Sequence, residues 1–170
     1  PICMPVVDGR VRLELAPADS RMLVINKCKG GNTEKPLPKT GTDAKILCNW
    51  HLSLHHALEG WTRQMVLDSL VDLQNTDFST FAGNVTYSTT LHLNKGEKYE
   101  FVNLGEVADI CELYVNGTPC GTRWFGDAVY RIGHLLHEGN NTIVIKVNTL
   151  LCNYARTLSD NRVVDHFVIK

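Results

Sequence analysis

The segment from Phe81 to Leu93 constrains the fold more than any other part of the chain. After Phe81-Ala82-Gly83-Asn84, large or apolar side chains take alternate positions at Val85, Tyr87, Leu91 and Leu93, and Thr86, Ser88, Thr90 and His92 fill the positions between. A period of two places one set of side chains on a buried face and the other in water, which is a half-buried β-strand. The same period returns in Ile46, Cys48, Trp50, Leu52 and Leu54, in Cys111, Leu113 and Val115, and in Ile143, Ile145 and Val147. Turn signals separate these runs at Asn94-Lys95-Gly96, at Asn116-Gly117 and at Glu138-Gly139-Asn140-Asn141, and Tyr99 to Leu104 reads as a partner strand. Many short strands with turns between them and little helical periodicity predict an all-β fold, an antiparallel β-sandwich burying the alternating faces between two sheets.

The strand period also decides how the histidines are read. In a helix, His51, His55 and His56 would lie at metal-chelating spacing. In a strand, His51 and His55 stand about 13 Å apart along one face, too far for one metal ion to bridge, so a solvated histidine face is expected. From Gly60 to Asn75 the pattern is mixed. Trp61, Met65, Leu70 and Leu73 fit a loose helical stripe while Val66-Leu67 fits a short strand, and the segment reads as loop with a turn of helix.

Upstream of this domain the chain changes character. Val11, Leu13 and Leu15 alternate with Arg12 and Glu14, Ala16 to Ser20 makes a turn, and Met22 to Ile25 reads as a second short strand. Residues 28–43 are rich in Gly, Pro, Lys and Thr with little to bury, which predicts a linker. The expected organisation is therefore terminal strands of a preceding module over 1–27, a linker over 28–43 and the β-sandwich over 44–170.

A net charge of −1 offers no cationic surface for nucleic acid, and no run of roughly 20 apolar residues could span a bilayer. Neither nucleic acid nor a membrane span is expected. The six cysteines form no Cys-x-x-Cys pair, which disfavours a zinc ribbon; reduced, buried thiols, with Cys48 and Cys111 on inward strand positions, are preferred over a disulfide framework. No phosphate loop, dinucleotide fingerprint or Gly-x-Ser-x-Gly elbow occurs. Glu106, Glu112, Asp127, Asp160 and Asp165 are available as carboxylates, yet none lies in a recognisable catalytic pair, so no catalytic residue and no metal ligand is assigned. Asn84-Val85-Thr86, Asn116-Gly117-Thr118 and Asn140-Asn141-Thr142 fit the N-glycosylation pattern, and two of the three coincide with turns.

Three segments in order carry a family resemblance. They are Phe81-Ala82-Gly83-Asn84-Val85-Thr86-Tyr87; then Leu104-Gly105-Glu106-Val107 with Leu113-Tyr114-Val115-Asn116-Gly117, Gly121 and Trp124; then Tyr130-Arg131-Ile132, Leu136, Gly139-x-Asn141 and Ile143 to Asn148. Together they resemble the non-catalytic sugar-binding domain of glycoside hydrolase family two and of related large α-L-rhamnosidase-like glycosidases. The departures are Ala82, where serine is usual, and Gly126-Asp127-Ala128, where a proline and an aromatic residue often follow the tryptophan.

The resemblance implies a jelly-roll sandwich of the galactose-binding-like type. It would be an accessory carbohydrate-binding or supporting domain beside a catalytic domain of the same polypeptide, secreted, periplasmic or on the cell surface. No cofactor is implied; a structural calcium ion is allowed by analogy with jelly-roll sugar modules, although no dense Asp-x-Asp run marks its site. Carbohydrate recognition needs aromatic faces for pyranose rings and polar groups for their hydroxyls. Trp124, Phe125, Asp127, Tyr130 and Arg131 fall together in one loop and strand and form the expected site, with Trp61 joining from the mixed segment. Two alternatives stay open: Trp124 and Tyr130 cap the core, or the chain is a protein-interaction β-sandwich that binds no sugar.

Overall fold

A computed structural model describes residues 6–13, 22–23, 44–155 and 157–158. The chain divides into two units, residues 1–46 and 47–170. In the first, Val7 and Arg10 form an isolated bridge, each N–H donating to the other's carbonyl at 2.9 Å across Asp8-Gly9. Residues 11–13 and 22–23, the described parts of the two short strands expected there, carry no strand. The expected linker over 28–43 lies outside the described residues.

The second unit is an antiparallel β fold with almost no helix. Its strands are β1 (Trp50–His56), β2 (Thr62–Leu67), β3 (Gly83–Leu93), β4 (Phe101–Asn103), β5 (Ile110–Val115), β6 (Thr118–Arg123), β7 (Val129–Arg131) and β8 (Gly139–Asn148). Six of them form one sheet in the order β2-β1-β3-β8-β5-β6, and β4 pairs with β7 in a second, small sheet. The inward residues of β1, β3, β5 and β8 make the core, among them Trp50, Leu52, Leu54, Val85, Leu113 and Ile143, closed from the other side by Tyr130 of β7 and Ile132 after it. The expected β-sandwich is formed.

At β3 the predicted alternation holds without a break, and Thr89, on the same parity as the apolar set, is buried with them. Its hydroxyl is satisfied by donating to the Cys48 carbonyl at 2.6 Å, so a polar group sits in the core at little cost. The alternation expected upstream of Trp50 is not kept. Asn49 takes a left-handed conformation (φ 55°) that breaks the strand phase, and Ile46 and Cys48 are exposed rather than inward. Cys111 is buried as expected, and Cys48, Cys111, Cys120 and Cys152 all carry free thiols.

The mixed segment after Gly60 resolves as β2, which runs back along β1 from Thr62 opposite His55 to Leu67 opposite Trp50. Its edge position explains the unclear pattern: only one neighbour is present and Thr62, Arg63, Gln64 and Val66 are exposed, so no clean alternation is needed. A short 3₁₀ turn at Leu73–Asn75, capped by the Asp72 carboxylate, is the only helical piece of that stretch.

Gly83 is required by close approach. A Cβ there would run into the His55 carbonyl oxygen and the Ala57 nitrogen, because β3 enters the sheet pressed against the end of β1. At the other end of the sheet, Asn116 (φ 51°) and Gly117 (φ 79°) make the tight β5–β6 hairpin that their sequence predicts. Asn141, fully buried at the start of β8, ties that end together. Its Oδ1 accepts from Asn116 Nδ2 at 2.9 Å and from the His137 N–H at 3.0 Å, and its Nδ2 donates to the carbonyls of His137 at 2.7 Å and Gly139 at 3.2 Å.

Candidate functional site

Strand register places several sequence landmarks at one end of the six-stranded sheet. His56 at the end of β1 pairs with Gly83 at the start of β3, Asn84 with Asn148 at the end of β8, Ile110 at the start of β5 with Asn148, and Cys111 with Arg123 at the end of β6. Trp61, Trp124 and the segment after Asn148 therefore all leave the sheet at this end.

Trp124 and Phe125 begin the β6–β7 loop. They are 76% and 45% exposed, with ring centroids 6.2 Å apart and planes inclined at 56°. The base of the loop is fixed by Arg123, whose guanidinium lies 5.0 Å from the centre of the Tyr130 ring and donates to the Val129 carbonyl at 3.4 Å. Gly126 (φ 76°) then turns the chain, and Asp127 stands exposed beside the two aromatic residues in sequence. Two aromatic rings and a carboxylate thus stand on an anchored loop, a combination suited to a sugar's apolar face and its hydroxyls.

The other expected site residues are not part of this ledge. Tyr130 is 1% exposed, and its hydroxyl donates to the Cys111 carbonyl at 3.3 Å and lies 3.3 Å from Cys111 Sγ. Burial pushes this phenol well above its usual range, helped by its contact with Cys111. Tyr130 belongs to the core, because β7 has inward parity there. Arg131 has the opposite parity; its Nε lies 3.6 Å from Glu100 Oε1 and its guanidinium is 5.2 Å from the centre of the Phe101 ring, so it serves the small sheet.

Trp61 leads into β2, at the far edge of the sheet from β6. Five strand spacings of about 4.8 Å separate those edges, so Trp61 and Trp124 do not form one site. Trp61 instead joins a cluster that the sequence pattern did not single out. The His56 ring lies 5.1 Å from Trp61, 5.6 Å from Phe81 and 4.9 Å from Tyr154, and Phe78 lies 6.5 Å from Trp61. Trp61 Nε1 donates to Glu59 Oε2 at 2.6 Å, and the Arg63 guanidinium covers the tryptophan ring at 5.3 Å.

His51 and His55 face solvent, whereas His56 is buried, with its Nδ1 accepting from the N–H groups of Glu59 at 3.1 Å and Leu58 at 3.3 Å. A histidine with two backbone donors on Nδ1 is a structural pin. Its inward parity with Trp50, Leu52 and Leu54 was the available signal.

Of the carboxylates, Glu112 accepts from the Tyr114 hydroxyl at 2.9 Å, Glu106 and Asp127 are exposed, and Asp160 and Asp165 lie outside the described residues. Among the described residues no three His, Cys, Asp or Glu side chains gather as a metal site, and no helix is long and apolar enough to cross a membrane.

No protein-family model matches the chain. A provisionally named β-glucuronidase of Formosa agariphila is 30% identical over 101 residues, which is 56% of this chain and 8% of that protein. A rhamnosidase from a Novosphingobium species has the same fold over 74% of this chain and 13% of its own, with a TM-score of 0.59 and 25% identity. The chain resembles one domain of large glycoside hydrolases. It spans 8% and 13% of the length of these two proteins.

Proposed function

We propose that this chain is an accessory domain of a multidomain glycoside hydrolase, with a catalytic domain in the same polypeptide, and that it meets carbohydrate at Trp124, Phe125 and Asp127. The observation that carries the site is the 76% exposure of a tryptophan on an anchored loop. Leaving so large an apolar ring in water is unfavourable unless something covers it, and the apolar face of a pyranose is a suitable cover. The galactose-binding-like jelly roll is the sandwich type that fits this role, and a glycan-degrading parent acts outside the cytoplasm.

The test is a glycan panel titrated into the chain, followed by the indole N–H resonance of Trp124 and by tryptophan fluorescence. A saturable shift that Trp124→Ala abolishes is the expected result. An indole resonance unmoved by every glycan would reduce the domain to a supporting role. A sugar-free interaction sandwich is the second reading, favoured by the exposed aliphatic residues Ile110, Leu150 and Leu151 at the same end of the sheet.

A further inference from the structure

Those three aliphatic residues form a surface of a different kind from the aromatic ledge. Ile110 opens β5 opposite Asn148, the last residue of β8, and Leu150 and Leu151 follow just beyond. The Leu150 N–H donates to Asp109 Oδ1 at 3.3 Å, which joins the segment to the residue before Ile110. Thr149 is stitched to β3, its N–H donating to the Gly83 carbonyl at 3.0 Å and its hydroxyl accepting from the Gly83 N–H at 2.9 Å. Beyond the leucines, Tyr154 of the helical turn Cys152–Ala155 (α1) packs on His56. The leucines are thus held between anchors on both sides and still leave 60% and 51% of their surface in water. Trp124 follows Arg123, the partner of Cys111, so the aromatic ledge leaves β6 at the same end of the sheet as Ile110.

Aliphatic side chains offer a sugar neither a ring face nor a hydrogen bond, whereas a protein surface covers them well. Resting on the accessory-domain reading above, we propose that Ile110, Leu150 and Leu151 seat a neighbouring domain of the same polypeptide, with the Trp124–Phe125 ledge at the seam. Two observations favour that occupant over a second copy of the chain. The matched proteins devote all but 8% and 13% of their length to other parts, so a tethered neighbour is at hand. Three half-exposed aliphatic residues supply on the order of 300 Å², well short of the roughly 800 Å² per partner of a stable free complex. A tether makes up the difference by holding the neighbour at an effective concentration of about millimolar.

Cys152, exposed and adjacent to Leu151, is a native reporter, and Cys48, exposed before β1 at the opposite end of the sheet, is its control. Thiol alkylation followed by peptide mass mapping is compared between the 170-residue chain and the full-length polypeptide. Cys152 labelling is expected to slow at least tenfold in the full-length polypeptide while Cys48 labels at the same rate in both. Leu150→Glu and Leu151→Glu, at positions more than half exposed, should return Cys152 to its fast rate. Equal Cys152 rates in both forms overturn the proposal, as does protection of the short chain that grows with its concentration, which would identify a second copy. Glycoside cleavage by the same full-length sample tests the accessory-domain reading separately, and cleavage with Cys152 open would sink the seat alone.

Discussion

The two ends of the six-stranded sheet are finished in opposite ways. At the Asn116–Asn141 end, a buried amide meets hydrogen-bonding partners from the β5–β6 hairpin and from the turn before β8, and the chain closes on itself. At the Trp61–Trp124 end, aromatic rings pack around His56, yet Ile110, Trp124, Phe125, Leu150 and Leu151 remain in water. The first end spends its side chains on the fold. The second keeps apolar surface that folding does not use, which is what a site for something else requires.

Cutting the closed end should give the largest loss of stability. Asn141→Ala removes both sides of the amide, takes from Asn116 Nδ2 one of its two acceptors, the other being the Leu135 carbonyl, and strips the His137 N–H and the His137 and Gly139 carbonyls of their bonds to the amide. A cost of about 3 kcal/mol is expected, read from the urea midpoint at unchanged m-value. A loss below about 1 kcal/mol would mean that water replaces the amide there, and the contrast between a sealed and an open end would fall.

Gly83→Ala comes next, at about 2 kcal/mol, because the clash is with backbone of β1 that cannot swing aside. It sharpens the comparison from the other side: the open end has a rigid floor under its exposed residues. Loss of Trp124 ligand response in this variant is not expected, since Gly83 lies on β3 and the ledge follows β6.

A smaller, pH-dependent effect should come from the phenols beneath the core. Burial raises Tyr130 and Tyr87 above the ordinary value of 10.0, with contributions from Cys111 and from Asp72 respectively. Folded, these phenols hold their protons where the unfolded chain would release them, so their contribution is fully present below pH 10 and is lost as pH rises beyond it. Urea midpoints measured from pH 8 to 11 should fall at the alkaline end, and Tyr130→Phe should flatten the fall.

How much of this was legible in the sequence follows the same division. The closed end is written in local rules: Asn116-Gly117 demands a tight hairpin, and the alternations of β3, β5 and β8 name their inward residues. Asn141 was visible only as part of a Gly-x-Asn turn, since its partners come from three separate segments. Along β1 parity misled in both directions. Asn49 broke the phase that would have buried Cys48, while His56 kept it and went inside, although a cluster of three histidines reads as a polar face. Proximity along the chain joined Tyr130 and Arg131 to Trp124, but strand parity turned Tyr130 into the core and left Arg131 to the small sheet. Trp61 was separated by sheet order, a property of pairing between distant strands that no local pattern carries.

The smallest effect is the one that bears most on function. Trp124 is 76% exposed and its ring meets that of Phe125, itself 45% exposed, so Trp124→Ala should change the unfolding free energy by no more than about 0.5 kcal/mol. Compared with Asn141→Ala, the same class of truncation at the other end of the sheet, that is a difference of several-fold. A clearly destabilised Trp124→Ala would mean that the ring caps the core after all, leaving no reason to look for a ligand on it. An unchanged midpoint together with a lost glycan response would separate the two ends completely: one holds the sandwich together, and the other is exposed because its partner is not part of the fold.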